Sequence, residues 1–226
     1  MEKHLVNLIE RMCTKDNLAS GYNSDNSASW NAYRDAEKLT DEKYIPQLME
    51  YISVEKKKEF RRAAYFILGK LLAKTVDSTA IQFYVNRILL ETDKYILSAM
   101  LGGLQDVKKD SSIDISPIIQ CISSDKWLVR QAAIKALEKT NHEIARETIQ
   151  AIVQLEDHKK NKYDISYAIS VLATIGTIED VALLKPLITS RIRDIKEGAK
   201  FAVYMLENDG KIPEEMKEYY LAGRLS

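Results

Sequence analysis

Cysteine is nearly absent from this chain: Cys13 and Cys121 are the only two in 226 residues, too few for a disulfide framework and too far apart for metal or redox spacing. Both read as buried thiols. Proline (4) and glycine (8) are scarce. Runs in which β-branched or aromatic residues alternate with polar ones are almost missing, which excludes a sheet protein and predicts a chain that is nearly all helix. No stretch approaches the roughly 20 apolar residues that a membrane span needs. The apolar run near the N-terminus is broken by a polar residue in every turn, unlike the core of a secretory signal, so the expected location is cytoplasmic and reducing. An excess of charge of either sign is missing too. Lys plus Arg equals Asp plus Glu, 33 against 33, and no long-range field draws the whole chain to a polyanion.

Chemistry-bearing constellations are also missing. His4, His142 and His158 have no second ligand at metal spacing, and no Gly-rich phosphate loop, nucleophile elbow or Cys/His pair occurs. The acidic pairs Asp41-Glu42 and Glu214-Glu215 sit at expected helix starts, where carboxylates favour the helix dipole. The expectation is no catalytic residue, no metal and no cofactor. A composition of 46% apolar and 29% charged residues nevertheless excludes general disorder.

What the chain does contain is a recurring helical pattern. Leu5, Leu8, Ile9 and Met12 form an apolar stripe over 2–13, followed by a polar segment, 14–29, that reads as a surface loop. Thr40 is the expected N-cap of a helix carrying Ile45, Leu48, Met49 and Ile52. Ile81, Tyr84, Val85 and Ile88 share one helical face, and Asn141 is the expected cap of a helix carrying Ile144, Ile149, Ile152 and Val153. Thr177 to Asp180 reads as a capping box. The clearest unit is 125–137, with Val129-Arg130 followed by Ala133, Ala136 and Leu137, and Trp127 reads as part of its packed face. Small residues recur at the same register, Ala36, Ala64, Ala99, Ala133, Ala168 and Ala199, and a near-constant spacing of 28 to 35 residues is the mark of a solenoid. Gly102-Gly103 reads as a place of close helix approach, and Pro46, Pro117 and Pro186 are expected inside the first helices of pairs.

With its proline-bearing first helices and the Val-Arg-x-x-Ala order of its second helices, the chain resembles bacterial HEAT-like repeat proteins. The resemblance implies an all-α, right-handed superhelical solenoid of about six helix pairs in a single domain. The expected repeats are 1–40, 41–75, 76–109, 112–140, 141–176 and 177–208, with 212–226 as a C-terminal cap. In such proteins an Asp-to-Arg ladder often links the turns. Here the arginine survives as Arg61 and Lys196 but becomes Ile96 and Ile165, so an interrupted ladder is expected.

The resemblance implies a non-enzymatic scaffold that binds a partner protein or peptide on its concave surface, formed by the second helices. The expected contact residues are Arg62, Phe66, Leu101, Lys135, Phe201 and Tyr204. An alternative is a nucleic-acid-binding protein related to the HEAT-like alkylpurine DNA glycosylases, which contain a string similar to residues 124–133. The neutral charge balance and the absence of Trp and Asp from 95–100 weigh against it.

Overall fold

The computed structural model describes residues 1–15 and 27–211, and the chain divides into two compact units, 1–139 and 140–226. The first unit holds α1 (Lys3–Met12), α2 (Ala28–Glu37), α3 (Tyr44–Val54), α4 (Lys58–Leu72), α5 (Ser78–Arg87), α6 (Lys94–Leu104), α7 (Ser116–Cys121) and α8 (Trp127–Ala136). The second holds α9 (Glu143–Val153), α10 (Lys162–Ile175), α11 (Val181–Leu184) and α12 (Arg193–Glu207). No strand occurs among the described residues. The expected cap, 212–226, and most of the segment 14–29 lie outside the described residues.

Local chemistry sets where the helices begin. Ser27 accepts the Trp30 N–H at 3.0 Å, Asp77 that of Ala80 at 2.9 Å, and Asp93 those of Tyr95 and Ile96 at 2.9 and 3.2 Å. Each satisfies an orphan donor and contributes about 1 kcal/mol. The Thr177–Asp180 capping box is present, with the Thr177 N–H donating to Asp180 at 2.7 Å. Thr40 is not an N-cap, because Asp41 takes the Lys43 N–H into a turn of its own and α3 starts only at Tyr44. Asn141 is not one either, since His142 holds that position, with no side-chain cap bond to the helix. Pro46 and Pro117 fall in the first turns of α3 and α7, and Pro186 in the first turn of a 3-10 helix (Lys185–Thr189). At Pro46 and Pro117 the missing N–H would have no helical partner anyway, so these two open helices, whereas Pro186 follows α11 (Val181–Leu184) without a break and lies inside a helical run, as expected.

In the first unit the second helices form a layer with parallel neighbours. At their starts Lys58 of α4 reaches Asp93, the cap of α6, at 3.3 Å. At their ends Gln105 beyond α6 donates to Glu138 beyond α8 at 3.2 Å, and Lys74 beyond α4 donates to the carbonyls of Glu37, the last residue of α2, and of Leu39 just after it. α6 packs between α4 and α8. Its tightest approach is at Gly103, where an added Cβ would lie 3.1 Å from the Tyr84 hydroxyl and 3.8 Å from the Gly69 Cα. Gly102, one residue away, faces open space. Ala36, Ala64, Ala133, Ala168 and Ala199 are buried at the packing position, but in α6 Met100 takes that place and Ala99 is exposed. Ile144 is likewise turned outward, and Ala145 packs in its stead.

Two buried ion pairs cross from one expected repeat to the next. Arg61 grips Glu91 through two N–H groups, at 2.7 and 3.0 Å, and the Tyr65 hydroxyl donates to the same carboxylate at 3.0 Å. Arg146 grips Asp180 at 2.9 and 3.4 Å, with Gln150 as a further donor. Burial pushes the Asp180 carboxyl up, but Arg146, the Thr177 N–H and Gln150 more than offset this and hold it below the usual carboxylate range. Lys109 is buried in the loop after α6, donating to the Leu104 and Val107 carbonyls at 2.8 and 2.6 Å.

Candidate binding face

The outward face of the second-helix layer in the first unit holds three of the six expected contact residues. Arg62 is exposed on α4 and Phe66 is half-buried one turn on. The Phe66 ring meets Tyr33 edge-on, with centroids 4.8 Å apart, and the Lys70 ammonium lies 5.5 Å from its centre. Lys135 is half-buried on α8. Between them α6 turns Ser98, Ala99 and Gly102 toward solvent, a floor without charge or bulk.

Leu101 does not belong to this face. It is 0% exposed, because it points into the contact of α6 with its neighbours one residue before the open position at Gly102. Phe201 and Tyr204 are both half-buried on α12, in the second unit.

Trp127 reverses its expectation: it is 61% exposed at the first position of α8, ahead of the first packed residue, Val129. Tyr95 is 58% exposed near the start of α6, with the Lys94 ammonium 4.9 Å from its ring centre. The sequence signal for both is position, since each precedes the first buried residue of its helix by one or two places.

Other places offer less chemistry. A shallow depression of about 570 Å³ lies among Met49 of α3, Thr79 and Phe83 of α5 and Ile113. Its Gln82 is occupied in holding the Asp114 backbone, accepting its N–H at 2.6 Å. Both cysteines are half-buried, and burial pushes both thiols up, away from the thiolate that a nucleophile needs. Among the described residues no cluster of His, Cys, Asp and Glu is placed to hold a metal, and no helix is long and apolar enough to cross a membrane.

Parallel second helices with recurrent packing positions define a helical-repeat solenoid of the HEAT and armadillo kind, and solved structures agree. The chain is similar to the HEAT-like repeats protein of the archaeon Thermococcus onnurineus NA1, with a TM-score of 0.53 and 16% identity over 97% of this chain and 87% of the other. It is also similar to a designed armadillo repeat protein, with a TM-score of 0.52 and 14% identity over 89% of this chain and 99% of that one. No family model matches the sequence, and no curated protein matches it.

Proposed function

We propose that this protein is a non-enzymatic, cytoplasmic scaffold that holds a segment of a partner protein on the outward, concave side of its second helices. The observation that carries the reading is the α4–α6–α8 face. An uncharged floor at Ser98, Ala99 and Gly102 runs between Arg62 and Phe66 on one side and Lys135 on the other. Interfaces take their energy from a few aromatic or arginine anchors beside an open recess, with a polar rim excluding water. Phe66 and Arg62 suit the anchor role, and Phe201 and Tyr204 offer half-buried aromatic positions on α12.

The test is affinity capture from native lysate with the parent protein and with the double variant Arg62→Glu, Lys135→Glu. Both residues are at least partly exposed, so the variant should keep the parent's circular dichroism and melting temperature while losing the specifically captured protein. Capture of the same protein in the same yield by both would sink the reading. Phe66→Ser is a poorer probe, because the Tyr33 contact makes that ring partly structural.

A further inference from the structure

Large apolar side chains that face water gather at one edge of the first unit. The segments leading into α4 and α6 expose Val54, Leu89 and Leu90 to 70, 57 and 64%, and the exposed rings of Tyr95 and Trp127 stand at the starts of α6 and α8. Hydrogen bonds bring these turns together. Arg87, at the end of α5, reaches the Ile52 carbonyl of α3 at 3.4 Å, and Arg61 of α4 takes the Lys56 carbonyl at 2.7 Å while gripping Glu91, next to Leu90. Lys58 and Asp93 tie the start of α4 to that of α6, and α8 packs beside α6. Charge is sorted at the same edge. Within 54–60, 88–95 and 122–127 every lysine, Lys56, Lys57, Lys58, Lys94 and Lys126, is exposed. Of the acids there, Glu91 is buried and Glu55 and Asp93 are half-buried, which leaves Glu59 and Asp125 in solvent. The turns between one helix pair and the next, 38–43, 73–77 and 105–115, lie at the other ends of these helices. They expose Val76 as their single large apolar side chain, and acids outnumber lysines among their exposed residues.

From this we infer that the edge carrying Val54, Leu89, Leu90, Tyr95 and Trp127 docks on an anionic lipid surface, lying on the bilayer rather than crossing it. Tyr and Trp join an apolar body to a polar tip and suit the headgroup level, and lysines lay their stems along apolar surface while the ammonium stays in water. Val54, Leu89 and Leu90 supply apolar area to the acyl boundary, and the lysines around them are drawn to negative headgroups. Lys58 and Lys126 are paired with Asp93 and Asp125, whereas Lys56, Lys57 and Lys94 stand in no ion pair among the described residues. The ammonium groups of Lys57 and Lys94 lie 5.2 and 4.9 Å from the ring centres of Phe60 and Tyr95, so cation and aromatic are presented together. A protein partner is the poorer fit, because protein interfaces seat their anchors in well-packed pockets. Here the side chains stand at the tips of separate turns, and a fluid acyl layer accepts them without a matching surface. This edge is separate from the outward α4–α6–α8 face, so the inference does not depend on that face holding a peptide.

The test is co-sedimentation of the full chain with vesicles of phosphatidylcholine alone or of equal parts phosphatidylcholine and phosphatidylserine. The mixed vesicles should bind at least tenfold more tightly, and less so as salt is raised. The double variants Leu90→Ser, Trp127→Ser and Lys56→Glu, Lys94→Glu should each weaken that binding at least tenfold. Both should keep the parent's circular dichroism and melting temperature, since all four side chains are exposed. Lys108→Glu, a reversal of charge at an exposed position of the other edge, should change binding less than twofold. Failure of the parent to bind mixed vesicles, or full binding by either double variant, overturns the inference, as does an equal loss with Lys108→Glu. Self-association of the parent in analytical ultracentrifugation that Leu90→Ser, Trp127→Ser abolishes, with no vesicle binding, assigns the edge to a second copy of the chain and overturns it likewise.

Discussion

At the scale of single residues, Leu101 and Trp127 make opposite demands on the chain. Leu101→Ala removes a fully buried side chain from a tight helix contact and should cost about 2–5 kcal/mol in urea unfolding. Trp127→Ala should change stability by no more than about 0.5 kcal/mol, since most of the indole is in solvent and little packing is lost. A large cost for Trp127 with a small one for Leu101 would contradict the packing of α6 and α8. Adjacent positions on a helix are turned about 100° apart. That rotation explains why Gly103 packs and Gly102 does not, and why Met100 rather than Ala99 fills the slot in α6. Composition marks both members of each pair as candidates, and only the neighbouring helices decide between them.

At the scale of an element, the end of α6 is closed by a buried amine. The Lys109 Nζ satisfies two carbonyls that the helix and its following turn leave open. Burial pulls this lysine down to about 7, with Glu138 and Asp106 opposing the shift and Lys139 adding to it. Above that value the folded chain releases a proton which the unfolded chain keeps until about 10.4. Stability should therefore rise with pH between about 7 and 10, by at most about 1.4 kcal/mol per pH unit. Urea titrations at pH 7 and 9 measure the rise, and Lys109→Met should abolish it; a flat profile in the parent would show that the amine stays charged. The apolar stripes of α1 and α5 and the Thr177 box are legible in the sequence, because helical periodicity and capping are local. The sites of Pro46 and Asn141 are less so, since a turn two or three residues long shifts a helix start without changing its composition.

At the scale of the whole molecule, stability in a repeat fold is close to a sum of nearest-neighbour terms, and damage stays near its source. Asp180→Asn breaks the grip of Arg146 and the capping box in the second unit. Hydrogen exchange read by mass spectrometry should show faster exchange mainly within 140–211, with little change in 1–139. The same carboxylate sets an acid limit: its pKa is lowered in the fold, so its contribution is present above the usual aspartate range and fades as pH falls through the folded value. The solenoid class is legible from the recurrence of small and apolar residues. The lysine-rich edge of the first unit is not, because the bulk count of 33 against 33 conceals it until burial separates its acids from its lysines.

The Arg61–Glu91 and Arg146–Asp180 pairs join residues 30 and 34 positions apart, each bridging a boundary between consecutive expected repeats. Seams for recombination therefore do not coincide with helix-pair borders. Excising 76–109 as a cassette would take the Glu91 carboxylate from Arg61 and Tyr65 and leave Arg61 only the Glu55 and Lys56 carbonyls, whereas a block cut ahead of Glu55 and rejoined beyond Glu91 would carry both ends of its own clasp. The portable module of this protein is thus offset by about half a repeat from the one its periodicity suggests.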